Sequence, residues 1–319
     1  MKNIYFLRHF IIRYVLIINI IKWELKILKR RYFSFIALTL VSVMLVLTAG
    51  CGVRINGKEY ELFNASHKEN NNFFNGFGSE SSNTQSISDG KQEGEQLVVS
   101  DNAGNIQIKK STNSQIEINA DKKVRGSSED NKKIIMDNMN MKLERDGKVI
   151  KVVFKTKDGK DFWDWQKENY KSYQITINFR ISVPEGIKVI EANTGAGNID
   201  IDDISAKLSL DTGAGNIDIN DVAALEDNHL STGAGNIDFN GNIENISSFE
   251  ASTGAGNVRF EVPEETKMSI EADTGIGNLS GSFIKTDNHK KSHYVEDVNG
   301  GGPNVKLSTG VGNIKADKN

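Results

Sequence analysis

The chain has 319 residues, 38% of them hydrophobic and 25% charged, with a formal charge of −3 and a single cysteine, so an internal disulfide framework is excluded. Residues 1–50 hold eight Lys/Arg and one Glu, which leaves 31 basic against 41 acidic residues and a charge of −10 on the remainder. An acidic body of this kind argues against nucleic acid and anionic lipid as direct partners.

Residues 1–24 are apolar but interrupted by Arg8, His9 and Arg13, a poor membrane span. No Met lies between Met1 and Met44, and one reading is an over-extended frame with the true start at Leu25. Lys29-Arg30-Arg31 then precede an apolar run, Tyr32 to Gly50, that ends in Leu47-Thr48-Ala49-Gly50-Cys51. A basic stretch, an apolar stretch and small residues, in that order, make an export signal, so 1–50 is expected to be one. Cys51 after Ala-Gly resembles a bacterial lipobox, in which the thiol receives a diacylglyceryl group; Thr48 departs from the usual Leu. Two acyl chains anchor a protein stably. The 19-residue apolar run is also near the ~20 residues a spanning helix needs, so a single transmembrane anchor is the alternative. Either reading puts the residues after Cys51 outside the cytoplasm, because the basic cluster stays inside.

Residues 51–96 are expected to be a flexible linker, since Asn64 to Gln96 is rich in Asn, Ser, Gly, Gln and Glu and cannot bury a core. Residues 97–319 are expected to form a single domain. Strand alternation begins at Leu97-Val98-Val99 and returns at Ile106-Gln107-Ile108 and Ile116-Glu117-Ile118. It lengthens from Ile134 to Val183, with Asp146-Gly147 marking a hairpin between Met139–Leu143 and Val149–Phe154. This longer set is expected to augment or cap one side of the domain. Within it lies an aromatic loop carrying Phe162, Trp163, Trp165 and Tyr170. Rings beside carboxylates often hold sugars and peptides, so this is a candidate binding loop; a hydrophobic lid is the plainer reading.

From residue 190 onward one phrase, Thr-Gly-x-Gly-Asn, recurs six times, starting at Thr194, Thr212, Thr232, Thr253, Thr274 and Thr309. The steps are 18, 20, 21, 21 and 35 residues, the last implying an insertion, and a degenerate copy lies at Asn102–Ile106. Aliphatic residues two apart flank each copy, such as Leu208 and Leu210 before and Ile217 and Ile219 after, with Asn228 the exception. That grammar is strand, corner, strand, and a fixed period means stacked repeats. The fold expected is all-β, a β-solenoid of ~20-residue coils like a parallel β-helix, with an augmenting antiparallel hairpin region.

The corners are assigned to Gly195, Gly197 and Asn198; Gly213, Gly215 and Asn216; Gly233, Gly235 and Asn236; Gly254, Gly256 and Asn257; Gly275, Gly277 and Asn278; and Gly310, Gly312 and Asn313. Glycine and asparagine tolerate positive φ, and stacked Asn side chains can form a ladder. A phosphate loop is excluded, because strand pattern rather than a helix follows each copy and no Lys is in place. A calcium roll of nine-residue units fits poorly with steps of 20 and 21 residues. Asp200, Asp218 and Asp238 would still line up on neighbouring coils and offer a weak cation position; a solvated acidic face is the plainer reading.

The repeated Thr-Gly-Ala-Gly-Asn-Ile-Asp-Ile, the lead-in Ser182-Val183-Pro184-Glu185-Gly186 and the lipoprotein-like start together resemble a bacterial β-strand-repeat family. It is the "putative adhesin" family of unknown function, related to the head GIN domains. The resemblance spans about Leu97 to Ile314. It implies a single β-solenoid on an exported or membrane-tethered protein, with no catalytic residues assigned.

The function expected is that of a lipid-anchored, non-catalytic surface module for binding or scaffolding. Its partners would be the membrane, through the lipid, and a cell-wall glycan or a protein. An accessory role in an envelope-stress system is the alternative, which rests on the resemblance. A carbohydrate-active β-helix enzyme is disfavoured, because the outward acids follow the structural period and His229, His289 and His293 share no motif. No cofactor is expected.

Overall fold

The structure is a computed structural model describing residues 53–55, 58–60, 79–89, 95–285 and 292–319. The expected signal 1–50, including its opening segment 1–24, and the lipidation residue Cys51 lie outside the described residues. The chain divides into two units, before and after Phe73/Phe74. In the first, β1 (Val53–Ile55) and β2 (Lys58–Tyr60) pair antiparallel. The second is all-β apart from two short helices, with one 18-stranded sheet nearly closed on itself.

Two stretches of the expected linker 51–96 are therefore strands: the β1–β2 pair and β3 (Glu80–Asp89). Strand β3 is polar except for Ile87, which packs partly buried against the core, and it is held mainly by the strand beside it. It runs antiparallel to β6 (Ile116–Arg125); Thr84–Asp121 and Ser86–Asn119 pairs join their side chains, and Ser88 bonds to Gln115 just ahead of β6. Gln85 reaches further, accepting from Met141 N at 2.9 Å and donating to Met141 O at 3.0 Å.

The repeats pair in parallel, residue against equivalent residue. Ahead of the phrase, β4 (Gln96–Asp101), β10 (Val189–Thr194) and β12 (Ser205–Ala214) lie side by side. The second halves of β13 (Ile217–Ala234) and β14 (Ile237–Ala255) follow them. Beyond the phrase, β5 (Ile106–Lys110), β11 (Ile199–Asp202), the first halves of β13 and β14, and β15 (Val258–Val262) make a second row. Ile190, Leu208 and Leu230 point inward from one row and Ile199, Ile217 and Ile237 from the other, each fully buried. Phe239, Phe249 and Phe260 fill the interior between them, with centroids 4.6, 5.4 and 5.1 Å apart.

Chain order and stacking order diverge at the end. The last repeat, β19 (Asn304–Val311) and β20 (Ile314–Lys318), lies between the repeats of Thr253 and Thr274. Thr309 is in register with Thr253 on one side and with Thr274, on β16 (Met268–Ile276), on the other. In the second row β20 sits between β15 and β17 (Leu279–Ser280). The long final step explains the inversion. It contains β18 (His293–Val298), which runs antiparallel along the free edge of β16. The chain then returns on the other side of β16. The expected insertion is thus a strand that caps one end of the sheet.

The opposite end is closed by the longer set. β8 (Val149–Lys155) continues the first row beside β4, and β7 (Asn140–Asp146) turns back on β8 as the Asp-Gly signal predicts. β9 (Gln174–Val183) continues the second row beside β5, and β6 covers β9 antiparallel. Two expectations fail here. Ile134, read as strand, lies in helix α1 (Glu129–Asn138), and the aromatic loop is helix α2 (Phe162–Asn169). Both helices start at capping side chains. The Ser128 hydroxyl accepts from Asn131 N, and Asp161 Oδ1 accepts from Trp163 N and Asp164 N at 2.9 and 3.1 Å.

Candidate functional site

The repeated phrase is used up by contacts between neighbouring repeats. Each Thr hydroxyl is buried and donates to a glycine carbonyl of the adjacent repeat. Thr212, Thr232, Thr253, Thr309 and Thr274 reach Gly197, Gly215, Gly235, Gly256 and Gly312, each at 2.8 Å. Thr194 reaches Gly104 at 3.1 Å. The Asn side chains form the expected ladder. Asn198 Oδ1 accepts from Asn216 N, Asn216 from Asn236 N and Asn236 from Asn257 N, at 2.8–2.9 Å. Asn257 accepts from Asn313 N at 2.9 Å and Asn313 from Asn278 N at 3.0 Å. Asn105 and Asn178 extend it past the degenerate copy, at 2.9 and 3.0 Å. Asn178 lies outside any copy of the phrase, so nothing in the repeat pattern marks it as a rung.

Positive φ explains only the second glycine of most copies, for example Gly215 at +155°. The first glycine is required by close approach. A Cβ on Gly213 would lie 2.4 Å from Gly195 O, and one on Gly215 would lie 2.0 Å from Gly197 O. No side chain fits where the carbonyl of one repeat rests on the Cα of the next.

Asn228, the break in the aliphatic pattern, repairs a mismatch. The 20-residue step at this point shifts the register between β12 and β13 after Ala206. Buried Asn228 fills the gap. Its Oδ1 accepts from Leu208 N at 2.8 Å, and its Nδ2 donates to Leu225 O at 3.1 Å and, at 3.4 Å, to Glu226 O.

Asp101 occupies the Thr position of the degenerate copy, in register with Thr194. It is 8% exposed, Oδ1 accepts from Asn102 N at 2.8 Å, and Oδ2 has no hydrogen-bond partner among the described residues. Burial pushes this carboxyl up to about 7, against the pull of the backbone N–H groups of Asn102, Ala103 and Ile177.

Asp200, Asp218 and Asp238 do stand in register on three successive strands. Strands are ~4.8 Å apart, so the outer two are roughly 10 Å from each other and cannot share one ion. Partial burial raises all three carboxyls. Asp200 is raised further by Asp202, and Asp218 by both of its neighbours in the column. Arg259 opposes the rise at Asp238, and Glu261 adds to it. Among the described residues, the one group of three ligand-bearing side chains gathered within 4.8 Å lies elsewhere, on β16 and β18.

The aromatic candidates pack on the capped end. Phe162 is fully buried and presents no surface, whereas Trp163, Trp165 and Tyr170 are half-buried against the core. Their rings form a continuous chain, Phe162–Trp163 at 5.2 Å, Phe162–Trp165 at 5.9 Å and Trp165–Tyr170 at 5.1 Å. The packing is that of a lid with one partly open face. A groove of about 470 Å³ runs along the turns, with Lys110, Glu185, Lys188, Asp203 and Asp221 among its walls. Sequence reading missed it, because only stacking brings Asp203 and Asp221 together. No helix among the described residues is long and apolar enough to cross a membrane.

No family model matches the chain, and no curated protein matches it. Among solved structures the chain is similar to a "putative cell adhesion protein" from Clostridium sporogenes ATCC 15579. The match has 14% identity and a TM-score of 0.41, over 76% of this chain and 100% of that one. It is also similar to a "putative adhesin" from Bacteroides fragilis NCTC 9343, at 15% identity and a TM-score of 0.31 over 74% of this chain and 97% of that one. A third likeness is to a "putative adhesin" from Parabacteroides merdae ATCC 43184, at 9% identity and a TM-score of 0.30, over 76% of this chain and 97% of that one. At these identities and scores the likenesses add no functional assignment to the geometry.

Proposed function

We propose that the chain is an extracytoplasmic lipoprotein, anchored through Cys51, whose repeats form a β-solenoid serving as an adhesin-like binding or scaffold module. The observation that carries this reading is the unbroken ladder of Thr and Asn bonds from Asn178 to Asn278. The residues that recur are spent on joining repeat to repeat. What varies is the outer face of each strand, which is where a partner would be met. Backbone and side-chain bonds along the whole stack make that face rigid, so a partner binding it loses little entropy in ordering it. The lipobox-like Leu-Thr-Ala-Gly-Cys supports the anchor, and the outward acids follow the repeat spacing, which supports a non-catalytic role.

Two measurements test the proposal separately. Cells fed radiolabelled palmitate should label the wild-type protein and leave Cys51→Ser unlabelled; label on the variant would refute the anchor. Purified protein should be retained by isolated cell-wall glycan or by a matrix-protein array at micromolar concentration. Absence of retention on both would refute the binding module.

A further inference from the structure

We propose that Glu271, Asp273 and His293 form a binding site for a divalent transition-metal ion, with Zn²⁺ as the reference ion, on the outer face of the β16–β18 pair. Each offers one ligand atom, and these atoms all lie within 4.8 Å of one another. His293 stands directly opposite Asp273 in the antiparallel register, and Glu271 is two residues back on the same face of β16. His293 Nδ1 and Asp273 Oδ1 are 2.5 Å apart. That pair accounts for two of the three groups. Glu271 makes no ion pair among the described residues, although Lys306 is its register partner on β19. Two carboxylates at successive outward positions repel each other, and a cation between them removes the repulsion.

The ligands are set on fixed backbone. β16 is hydrogen-bonded on both edges, to β19 and to β18. Ile270, Ala272 and Thr274 bury its inner face, so Glu271 and Asp273 must project outward. β18 is pinned next to His293 by buried Tyr294, whose hydroxyl donates to Phe283 O and accepts from Lys285 N, both at 3.2 Å. Ligands at ~2.0–2.2 Å from a tetrahedral ion lie roughly 3.4 Å apart. Binding therefore needs the imidazole and carboxylate to separate by about 1 Å, a side-chain rotation that leaves both strands in place. One imidazole with two carboxylates suits zinc, which takes His nitrogen and Asp or Glu oxygen as ligands. Calcium needs six to eight oxygen ligands, about twice what these side chains offer. Three protein ligands leave positions open to water or to a partner's donor group, so a flat strand face gains ligand chemistry without a pocket.

Isothermal titration of the EDTA-stripped full chain with ZnCl₂, and in parallel with CaCl₂, tests the site. One zinc per chain is expected, with no comparable calcium binding. Asp273→Asn and His293→Gln should each weaken zinc by more than the ~10–100-fold that loss of an outer-shell partner costs. His229→Gln, which removes a separate His–Glu250 pair, should change nothing. Zinc affinity unaltered in both site variants, or calcium bound as tightly as zinc, would overturn the proposal. Should a variant melt early in EDTA, cobalt broadening of wild-type NMR resonances decides instead. Broadening centred on Asp273 and His293 supports the site, and broadening centred elsewhere overturns it.

Discussion

Replacing Asp101 with threonine should stabilise the protein, and by an amount that depends on pH. Six repeats place a hydroxyl at this point that donates to a carbonyl of the adjacent repeat; the seventh places a buried carboxyl with an oxygen left unpaired. Its value rises from the ordinary 3.8 to about 7. At about 1.4 kcal/mol for each tenfold change in proton affinity, the rise amounts to roughly 4 kcal/mol. Because the folded value lies above the unfolded one, the folded state keeps a proton between about pH 4 and 7 that the unfolded state has released. Stability contributed by the neutral carboxyl is therefore complete below pH 4 and lost as pH rises to 7, with no further change above. Asp101→Thr and the isosteric Asp101→Asn should match the wild type at pH 4 and exceed it by about 2–4 kcal/mol at pH 8. Urea unfolding at pH 4, 6 and 8 measures this. A wild-type–variant difference that is constant across that range would refute the assignment of a buried, protonated Asp101.

Asn228→Ala should cost about 1–3 kcal/mol in the same assay, because it strands the buried N–H of Leu208. Asn228→Leu, which restores the apolar pattern, should be no better; full stability in that variant would show that the register shift closes without help. Deleting residues 304–319 should harm the fold more than trimming an end would, because β19 and β20 are interior strands paired on both sides. Circular dichroism and limited proteolysis of the truncated protein should show lost β signal and cleavage within 268–303. A product that keeps its melting temperature would mean that β16 settles directly onto β14.

The sequence alone determined the all-β class, the strand–corner–strand unit and the Asn ladder. These are local or periodic properties. Alternation fixes which residues of Leu208–Leu210 or Ile217–Ile219 face inward, and an identical phrase can pair with any other copy of itself at the same register. That same identity is why the stacking order was hidden. Thr253 can accept Thr274 or Thr309 equally well, and only β18, by occupying the outer edge of β16, decides that the last repeat goes between them. Strand β3 was hidden for the opposite reason. It carries almost no apolar signal and exists because the edge of β6 and the side chains of Asp121 and Asn119 are there to receive it. The grouping of Glu271, Asp273 and His293 belongs to the same kind of fact. Twenty residues separate Asp273 from His293 in the chain, and the antiparallel pairing of two strands, which no motif records, sets them side by side.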